Sequence, residues 1–196
     1  MNALPLERHP FPPFLPPNAK ALIMGTFPPK PMRWSMEFYY PNRINDFWRI
    51  MGIIFYNDRN RFISPDDGSF MLPDIKRFLT EKGIALSDTG RAVRRLRDNA
   101  SDKYLDIVET CPLEQMLEQV PSCRYVATTG EKAASVIAEI TSTPLPAMGQ
   151  LVTTEFAGRQ LVISRLPSTS RAYPLAIDKK AGYYKQFLIE ASCLTL

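Results

Sequence analysis

Two short segments of the chain concentrate side chains that can bind a flat, polar ligand. The first is residues 21–48, ALIMGTFPPKPMRWSMEFYYPNRINDFW. It supplies small residues for close backbone approach, aromatic rings for stacking, and amides that both donate and accept hydrogen bonds. In chain order these residues are Gly25, Thr26, Phe27, Tyr39, Tyr40, Asn42 and Asn45. This combination is typical of a pocket that recognises a heterocycle.

The second segment is LPSTSRAY, residues 166–173. The hydroxyls and backbone N–H groups of Ser168, Thr169 and Ser170 suit a phosphate, and Arg171 adds a positive charge beside them. A heterocycle pocket next to a phosphate-binding loop indicates a base turned out of a nucleic-acid strand. The same residues also fit a simpler interpretation, in which the aromatics are core, one asparagine caps a helix and the serines form a turn. Composition alone leaves both interpretations open.

Apolar runs bounded by glycine, proline or charged residues predict the strands that carry these segments. Four strands are predicted, at residues 20–24, 84–88, 125–129 and 160–165, with an additional edge strand at 151–156. Helical periodicity predicts helices that begin at Asn45, Pro73, Leu113, Glu131 and Ala181. The alternation predicts a three-layer α/β/α sandwich around a central, mostly parallel four-stranded sheet, in one domain over residues 1–196. In such a sheet both segments follow strand carboxyl ends and face each other across a crevice.

Two further stretches flank this core. Residues 1–19 are rich in proline, which predicts an extended strap on the domain surface, held by Phe11 and Phe14. Arginines recur in residues 89–99 at a spacing that would place several of them on one face of a helix. That face is either solvated or a phosphate-contacting patch, and the pattern favours neither.

The composition disfavours several classes of protein. The chain has 196 residues, a formal net charge of +4 and 45% hydrophobic residues, as in an ordinary globular protein. With three distant cysteines and one histidine, we expect no disulfides, no structural zinc and no four-cysteine iron–sulfur cluster. The sequence has no signal-peptide pattern and no apolar run long enough to span a membrane, so we expect no membrane contact. The odd number of distant cysteines favours a reducing cytoplasm, and we expect a monomer. A small-molecule hydrolase or transferase is disfavoured because Gly-x-Ser-x-Gly, P-loop and Gly-x-Gly-x-x-Gly motifs are missing.

At these residues the sequence resembles the uracil-DNA glycosylase superfamily. LIMGTFPP resembles the first motif of that superfamily, a strand leading to Gly-x-x-Pro, and LPSTSRAY resembles the second. HPFPPFLPPNAKALIMGTFPP, YYPNRINDFW, GIALSD and LPSTS together resemble the hypoxanthine-DNA glycosylase branch, which is also similar to the mismatch-specific thymine and uracil glycosylases. The resemblance implies a monofunctional DNA repair glycosylase without a metal or cofactor. Such an enzyme hydrolyses the N-glycosidic bond of a flipped-out uracil or hypoxanthine in DNA.

The first motif departs from most of the superfamily at Phe27. Many members carry Asp or Asn there to position the attacking water, and a phenyl ring can do no proton chemistry. Resemblance to the hypoxanthine branch implies that the catalytic amide is instead Asn45, with Asn42 as the fallback. The alternative is a nucleic-acid-binding protein that keeps the fold without catalysis, which Phe27 favours.

The resemblance also divides the remaining residues between the base and the DNA backbone. The base would contact Gly25, Thr26, Phe27, Tyr39 and Tyr40. The DNA backbone would contact Pro28, Ser168, Thr169, Ser170 and Arg171. The last of these follows the second motif, at a place where an intercalating side chain would fill the vacated stack.

Overall fold

Strands and helices alternate along most of the chain. The computed structural model describes residues 4–97 and 102–195. In chain order the strands are β1 (Leu6–Arg8), β2 (Ala21–Gly25), β3 (Ile84–Asp88), β4 (Gly90–Arg95), β5 (Leu105–Thr110), β6 (Tyr125–Thr129), β7 (Leu151–Phe156) and β8 (Arg159–Leu166). The α-helices are α1 (Phe47–Tyr56), α2 (Leu72–Lys82), α3 (Leu113–Gln119), α4 (Glu131–Ile140) and α5 (Ile177–Glu190). Two short 3-10 helices are Pro31–Arg33 and Asp102–Tyr104.

Five of these strands form a mixed, mostly parallel sheet in the order β3-β2-β6-β8-β7. Strand β2 pairs in parallel with β3 and β6, and β6 pairs in parallel with β8. Strand β7 is antiparallel to β8. The predicted α/β class is confirmed. The predicted count of four strands is too low, because the hairpin strand β7 joins the same sheet through six residue pairs with β8.

Helices cover both faces of this sheet, and the sequence of β2 explains why both faces must be covered. All five β2 residues are buried, and successive side chains of a strand point to opposite faces. Ala21 and Ile23 belong to a core formed with α1, α2 and α5, whereas Leu22 and Met24 belong to a second core formed with α3 and α4. A strand buried on both faces is apolar throughout. The sequence of β2 therefore fits only the middle of a three-layer arrangement.

The arginines in residues 89–99 would share one face only if the segment were helical, and its described part is a strand. Residues 90–95 form β4, the central strand of a three-stranded antiparallel sheet in the order β1-β4-β5. Residues 98–99 lie outside the described residues. Arg95 is only 9% exposed, and its Nε donates to the Glu7 carboxylate at 2.9 Å. Pairing with strands on both sides overrides the helical spacing, so these arginines do not form a helical face.

The proline-rich stretch preceding β2 is attached to both sheets. Strand β1 pairs with β4, although no strand was predicted in this stretch. Further along, Phe14 and Leu86 exchange two backbone hydrogen bonds of 2.9 Å. Phe11 is 7% exposed and packs against Trp34 with ring centroids 4.8 Å apart. The segment thus contributes to the core through Phe11 and to the main sheet through Phe14.

Cys111, Cys123 and Cys193 are buried free thiols, and burial raises the pKa of the first two to about 12. Among residues 4–97 and 102–195, no helix is long and apolar enough to cross a membrane. The same residues contain no group of three or more His, Cys, Asp and Glu side chains that could hold a metal ion.

We predict that the N-terminal stretch contributes substantially to stability. Replacing Phe11 by alanine leaves a cavity between the strap and Trp34, and should lower the free energy of unfolding by about 3–5 kcal/mol. Leu4 is 43% exposed in the same stretch, so Leu4→Ala is the control and should cost less than about 0.5 kcal/mol. Urea unfolding followed by circular dichroism measures both. Equal, small effects would show that the strap only lies on a core that is complete without it.

Candidate functional site

The two segments predicted to face each other meet at the carboxyl edge of the main sheet. The backbone N–H of Asp46 donates to the carbonyl of Thr169 at 2.9 Å, and Asn45 forms an antiparallel bridge with Ser170. A cleft of about 820 Å³ lies beside this contact and is lined by both segments. That volume is in the range of pockets that hold small ligands. The predicted convergence of the two loops is therefore present in the fold.

A cluster of three charged residues fixes this contact, and we call it the Asp46 cluster. Arg171 Nε donates to Asp46 Oδ1 at 3.0 Å, and Lys180 Nζ lies 3.6 Å from Asp46 Oδ2. The Lys180 ammonium also donates to the Ser170 carbonyl at 2.8 Å. The side chain of Lys180 is 1% exposed and that of Asp46 is 9% exposed. The cluster joins the start of α1, the second segment and α5, with Asp46 and Lys180 buried and Arg171 about half exposed.

The turn after β2 forms one wall of the cleft. A Cβ at Gly25 would lie 2.5 Å from Asp88 Oδ1, so a larger residue would displace that carboxylate. The ring of Phe27 is half-buried and has the Arg95 guanidinium 5.6 Å from its centroid. Arg95 also donates from Nη2 to the carbonyl of Pro28 at 2.7 Å. A buried arginine thus holds the turn whose residues line the cleft.

The two predicted tyrosines have different surroundings. Tyr39 is 1% exposed, does not line the cleft, and donates its hydroxyl to the Pro12 carbonyl at 3.1 Å. Its predicted stacking role is therefore corrected, because the ring is part of the core. Tyr40 does line the cleft, and its ring stacks on Phe47 at 3.8 Å with an interplanar angle of 7°. One face of Tyr40 is thus occupied by the protein.

Both predicted asparagines line the cleft and use their amide oxygens locally. Asn45 Oδ1 accepts the N–H of Phe47 at 2.9 Å at the start of α1, and Asn42 Oδ1 accepts the N–H of Ile44 at 3.1 Å. Neither Nδ2 group has a hydrogen-bond partner in the described part of the chain. Asp46 occupies the N-cap position of α1 and its side chain makes no capping bond, so the predicted cap is displaced by one residue. The Asn45 oxygen binds the first N–H of α1 from the position before the cap, which leaves the amino group as a donor for a ligand.

The serine loop presents two hydroxyls at the cleft. Ser168 Oγ accepts the N–H of Ser170, and Ser170 Oγ accepts the N–H of Ala172, both at 3.2 Å. Because each oxygen is already an acceptor, each hydroxyl hydrogen remains able to bind an anion. Thr169 is only 2% exposed, and its carbonyl accepts from Asp46. Arg171 lines the cleft, but its guanidinium is bound to Asp46, so its reach for intercalation is restricted.

The sequence analysis assigned none of the three carboxyl groups that line the cleft, Asp88, Asp102 and Glu131, to the site. Asp88 ends β3, and Asp102 accepts a 2.7 Å hydrogen bond from the hydroxyl of Thr26. Asp88 Oδ2 lies 2.9 Å from Nε2 of His9 in the N-terminal stretch. The position of Asp88 at a strand end, in GIALSD, was an available signal. Nothing in the sequence pointed to Asp102, nor to His9 as a partner, because both contacts are between distant segments.

Burial, with a smaller contribution from Asp88, raises the pKa of two groups in the cleft. Burial raises the pKa of Asp102, and nearby Asp88 raises it further, whereas the Thr26 hydrogen bond lowers it. Burial likewise raises the pKa of Tyr40 well above its usual value, with Asp88 as the second cause, so Tyr40 stays a neutral phenol. Basic side chains outnumber acidic ones around the cleft. The basic ones are Arg33, Lys103, Lys132, Arg165 and Arg171, and the acidic ones are Asp88, Asp102 and Glu131.

The fold is similar to that of a solved protein from Methanosarcina acetivorans. Its solution NMR structure is described as that of "a putative Uracil DNA glycosylase". The two structures align with a TM-score of 0.63 over 95% of this chain and 98% of the other, at 20% sequence identity. No protein-family model matches the sequence, and no curated protein matches it. At this level of identity, the similarity establishes a shared fold.

We predict that the Asp46 cluster determines the stability of the cleft. Lys180→Met leaves Asp46 in a buried position with one cation fewer, and should lower the free energy of unfolding by about 3–5 kcal/mol. Lys179→Met is the matched control, since the neighbouring lysine is exposed and should contribute within about 0.5 kcal/mol. Urea unfolding at neutral pH compares the two. A Lys180→Met protein as stable as the control would contradict the assigned role of the cluster.

Proposed function

We propose that this protein is a DNA glycosylase that hydrolyses the N-glycosidic bond of a deaminated base, uracil or hypoxanthine, flipped out of DNA. The observation that carries the proposal is the contact between the two segments. The 2.9 Å hydrogen bond from Asp46 to Thr169 places the asparagine loop and the serine loop on one cleft. A nucleotide needs both kinds of group, one for its base and one for its phosphate.

The base would occupy the part of the cleft bordered by Tyr40, Phe27 and the two asparagines. Cleavage of an N-glycosidic bond builds positive charge on the sugar and negative charge on the departing base. A preorganised donor that meets this negative charge lowers the barrier, and the unpartnered Nδ2 of Asn45 is such a donor. Because the Asn45 oxygen binds the first N–H of α1, the amide plane is fixed before substrate binds. The side chain of Asn42 is the second candidate for this role.

The flanking phosphates would bind the serine loop. The hydroxyl hydrogens of Ser168 and Ser170 are the donors, and the excess of basic side chains around the cleft attracts the DNA backbone. Arg171 then contributes charge from its place beside Asp46. Phe27, where many glycosylases of this fold have a polar residue, would contribute one wall of the base pocket and no proton chemistry.

The resemblance of YYPNRINDFW and GIALSD to the hypoxanthine branch supports the finer assignment. In that branch the catalytic amide precedes Phe-Trp, as Asn45 does with one intervening residue. Under this assignment the protein is a monofunctional repair enzyme that leaves an abasic site. The water that attacks the sugar is then positioned without an acid in the first motif.

One observation favours a second candidate function. Phe27 removes the usual water-positioning side chain, which is compatible with a protein that binds DNA without cutting it. Such a protein would bind oligonucleotides with an affinity that falls steeply as salt rises, and would release no base. Base release from oligonucleotides carrying uracil or hypoxanthine, followed by alkaline cleavage at abasic sites, separates the two functions.

We predict that Asn45→Asp abolishes most base release while the fold is retained. Aspartate keeps the oxygen that binds the first N–H of α1 but replaces the Nδ2 donor by a second acceptor. The single-turnover rate should fall by about 10²–10³, the usual effect of losing one such donor. Asn45→Ala should lose the activity and also about 1 kcal/mol of stability, because the hydrogen bond to the first N–H of α1 is lost as well.

The control for these variants is Asn60→Ala, which removes an exposed asparagine outside the cleft and should leave the rate unchanged. Full activity in Asn45→Asp would refute the catalytic assignment while leaving the glycosylase function standing. In that case Asn42→Ala tests the fallback residue. Absence of base release by the unmodified protein from every oligonucleotide, with retained DNA binding, would favour the non-catalytic function.

A further inference from the structure

A row of arginines leads away from the cleft along the first turns of α1. It consists of Arg171 in the second segment, Arg43 before α1, Arg49 within α1 and Arg59 after it, and we call it the arginine row. Arg43 and Arg59 are exposed and do not line the cleft, whereas Arg171 does. The sequence analysis assigned a DNA contact only to Arg171, so the other three side chains have no role in the proposed function so far.

The start of α1 brings three of these arginines together. Arg49 Nη1 donates to the carbonyl of Arg43 at 2.6 Å and to that of Asn45 at 3.3 Å. Arg171 Nε donates to Asp46 Oδ1 at 3.0 Å. Both guanidinium groups are therefore bound to the same short stretch of chain, residues 43–46, which borders the cleft.

Gly52 brings the fourth arginine to the row. The chain turns back after α1, and the N–H of Asp58 donates to the Gly52 carbonyl at 3.2 Å. A Cβ at Gly52 would collide with the Asp58 carbonyl, so this close approach requires glycine. Gly52 lies about one helical turn after Arg49, and Arg59 directly follows Asp58. The turn thus places Arg59 near Arg49 on the outer side of α1.

The positive charges of the row have little compensation. In residues 4–97 and 102–195, the carboxylate that is ion-paired with the row is that of Asp46, through Arg171. Burial lowers the pKa of Arg49, and repulsion from Arg171, Arg59 and Arg43 lowers it further, whereas Asp46 raises it. The four cations are therefore close enough to repel one another, which favours a polyanion as the missing counter-charge.

Aspartates occur near Arg59 in sequence, but their bonds are directed elsewhere. Asp58 Oδ1 accepts the N–H of Asn60, and Asp67 Oδ1 accepts the N–H of Ser69, both at 2.9 Å. Within the described part of the chain neither aspartate is ion-paired with an arginine of the row. These carboxylates stabilise their own turns and leave the guanidinium groups of Arg43 and Arg59 able to bind an external anion.

We propose that the arginine row binds the phosphates of the DNA strand as it leaves the cleft. This inference rests on the DNA binding in the proposed function and gives it a second contact, beyond the serine loop. From Asp46 to Gly52 the helix rises about 9 Å, at about 1.5 Å per residue. One DNA strand has a phosphate about every 3.4 Å along the axis, so the row reaches phosphates about two to three nucleotides from the flipped one. Planar guanidinium groups suit phosphate oxygens because they can donate two parallel hydrogen bonds.

The test is the salt dependence of DNA binding by the double variant Arg43→Gln, Arg59→Gln. The probe is a 15-base-pair duplex with a central 2′-fluoro uracil nucleotide, which resists hydrolysis, and binding is followed by fluorescence anisotropy. Loss of two phosphate contacts should reduce the slope of log K against log salt by about 2. At 0.1 M salt this corresponds to a loss of affinity of about 10- to 100-fold. Arg49 is left unchanged because its guanidinium holds the backbone beside the cleft.

The matched control is Lys20→Gln, Arg124→Gln. It also removes two exposed cations, but these precede β2 and β6 and so lie at the opposite, amino edge of the sheet. Its salt slope should stay within about 0.5 of the unmodified value, which separates a local contact from the effect of net charge. Single-turnover base release at saturating DNA should be unchanged in both double variants, because none of the four residues lines the cleft.

The length of the DNA locates the contact. A single strand of three nucleotides with the same central nucleotide fills the cleft but does not extend to the row. Its affinity should be the same for the unmodified protein and for Arg43→Gln, Arg59→Gln. If the double variant is less stable in urea than the unmodified protein, Arg59→Gln alone carries the test, with a slope reduced by about 1.

Two results overturn the inference while leaving the glycosylase function standing. Either the arginine variant has the salt slope of the amino-edge control, or it weakens binding of the three-nucleotide strand as much as that of the duplex. If the unmodified protein releases no base but the slope difference persists, the glycosylase function fails and the inference stands as part of the non-catalytic function. If the unmodified protein binds no DNA, both fail.

Discussion

A buried lysine beside a buried aspartate holds the candidate site together. Lys180 comes from the last helix and Asp46 from the start of α1, and the ammonium also binds the carbonyl of Ser170. Taking two charges out of water costs several kcal/mol per ion, which their mutual attraction offsets only when the geometry is good. We therefore expect the two loops either to keep this contact in full or to lose it together with the ion pair. A cleft built this way keeps its shape before a ligand arrives.

The opposite wall of the cleft, formed by the turn after β2, is also held by buried charged groups. Gly25 leaves room for the Asp88 carboxylate, and His9 fixes one oxygen of that carboxylate from the N-terminal stretch. Arg95 does the equivalent for the turn after β2, because it binds the carbonyl of Pro28 and the carboxylate of Glu7. Charged groups that are oriented by the fold have little reorganisation left to undergo when they meet a substrate. In this view the strap and the small antiparallel sheet act as supports for the cleft.

The parts of the fold that sequence could predict are those with a local cause. The run ALIM is apolar because β2 is buried on both faces, and Gly83 follows α2 because its φ of 67° favours glycine. Local spacing failed for the arginines near residue 95, where strand pairing with β1 and β5 decided the conformation. It failed again for Tyr39, whose neighbours in sequence do not reveal that its hydroxyl is bound by the strap.

The features of the candidate site also differ in whether a local sequence signal could reveal them. Asn45 could be identified because a helix start and a recognisable motif coincide there. The bond between His9 and Asp88 had no local signature, since the two residues are far apart in sequence and are joined only by the folded sheet. Only the structure shows that the Asn45 oxygen binds the first N–H of α1 while its amino group remains a donor. A single sequence does not reveal contacts between residues that are far apart along the chain.

The central claim is that one cleft holds both the base and the phosphate of a flipped nucleotide. The structure of a complex with DNA that contains a 2′-fluoro uracil or hypoxanthine nucleotide, which resists hydrolysis, tests it most directly. We predict that the base lies beside Tyr40 with Asn45 Nδ2 in hydrogen-bond contact, and that a flanking phosphate is bound by Ser168 and Ser170. A base that remains stacked in the DNA, or a phosphate bound away from the serine loop with the cleft empty, would contradict the account.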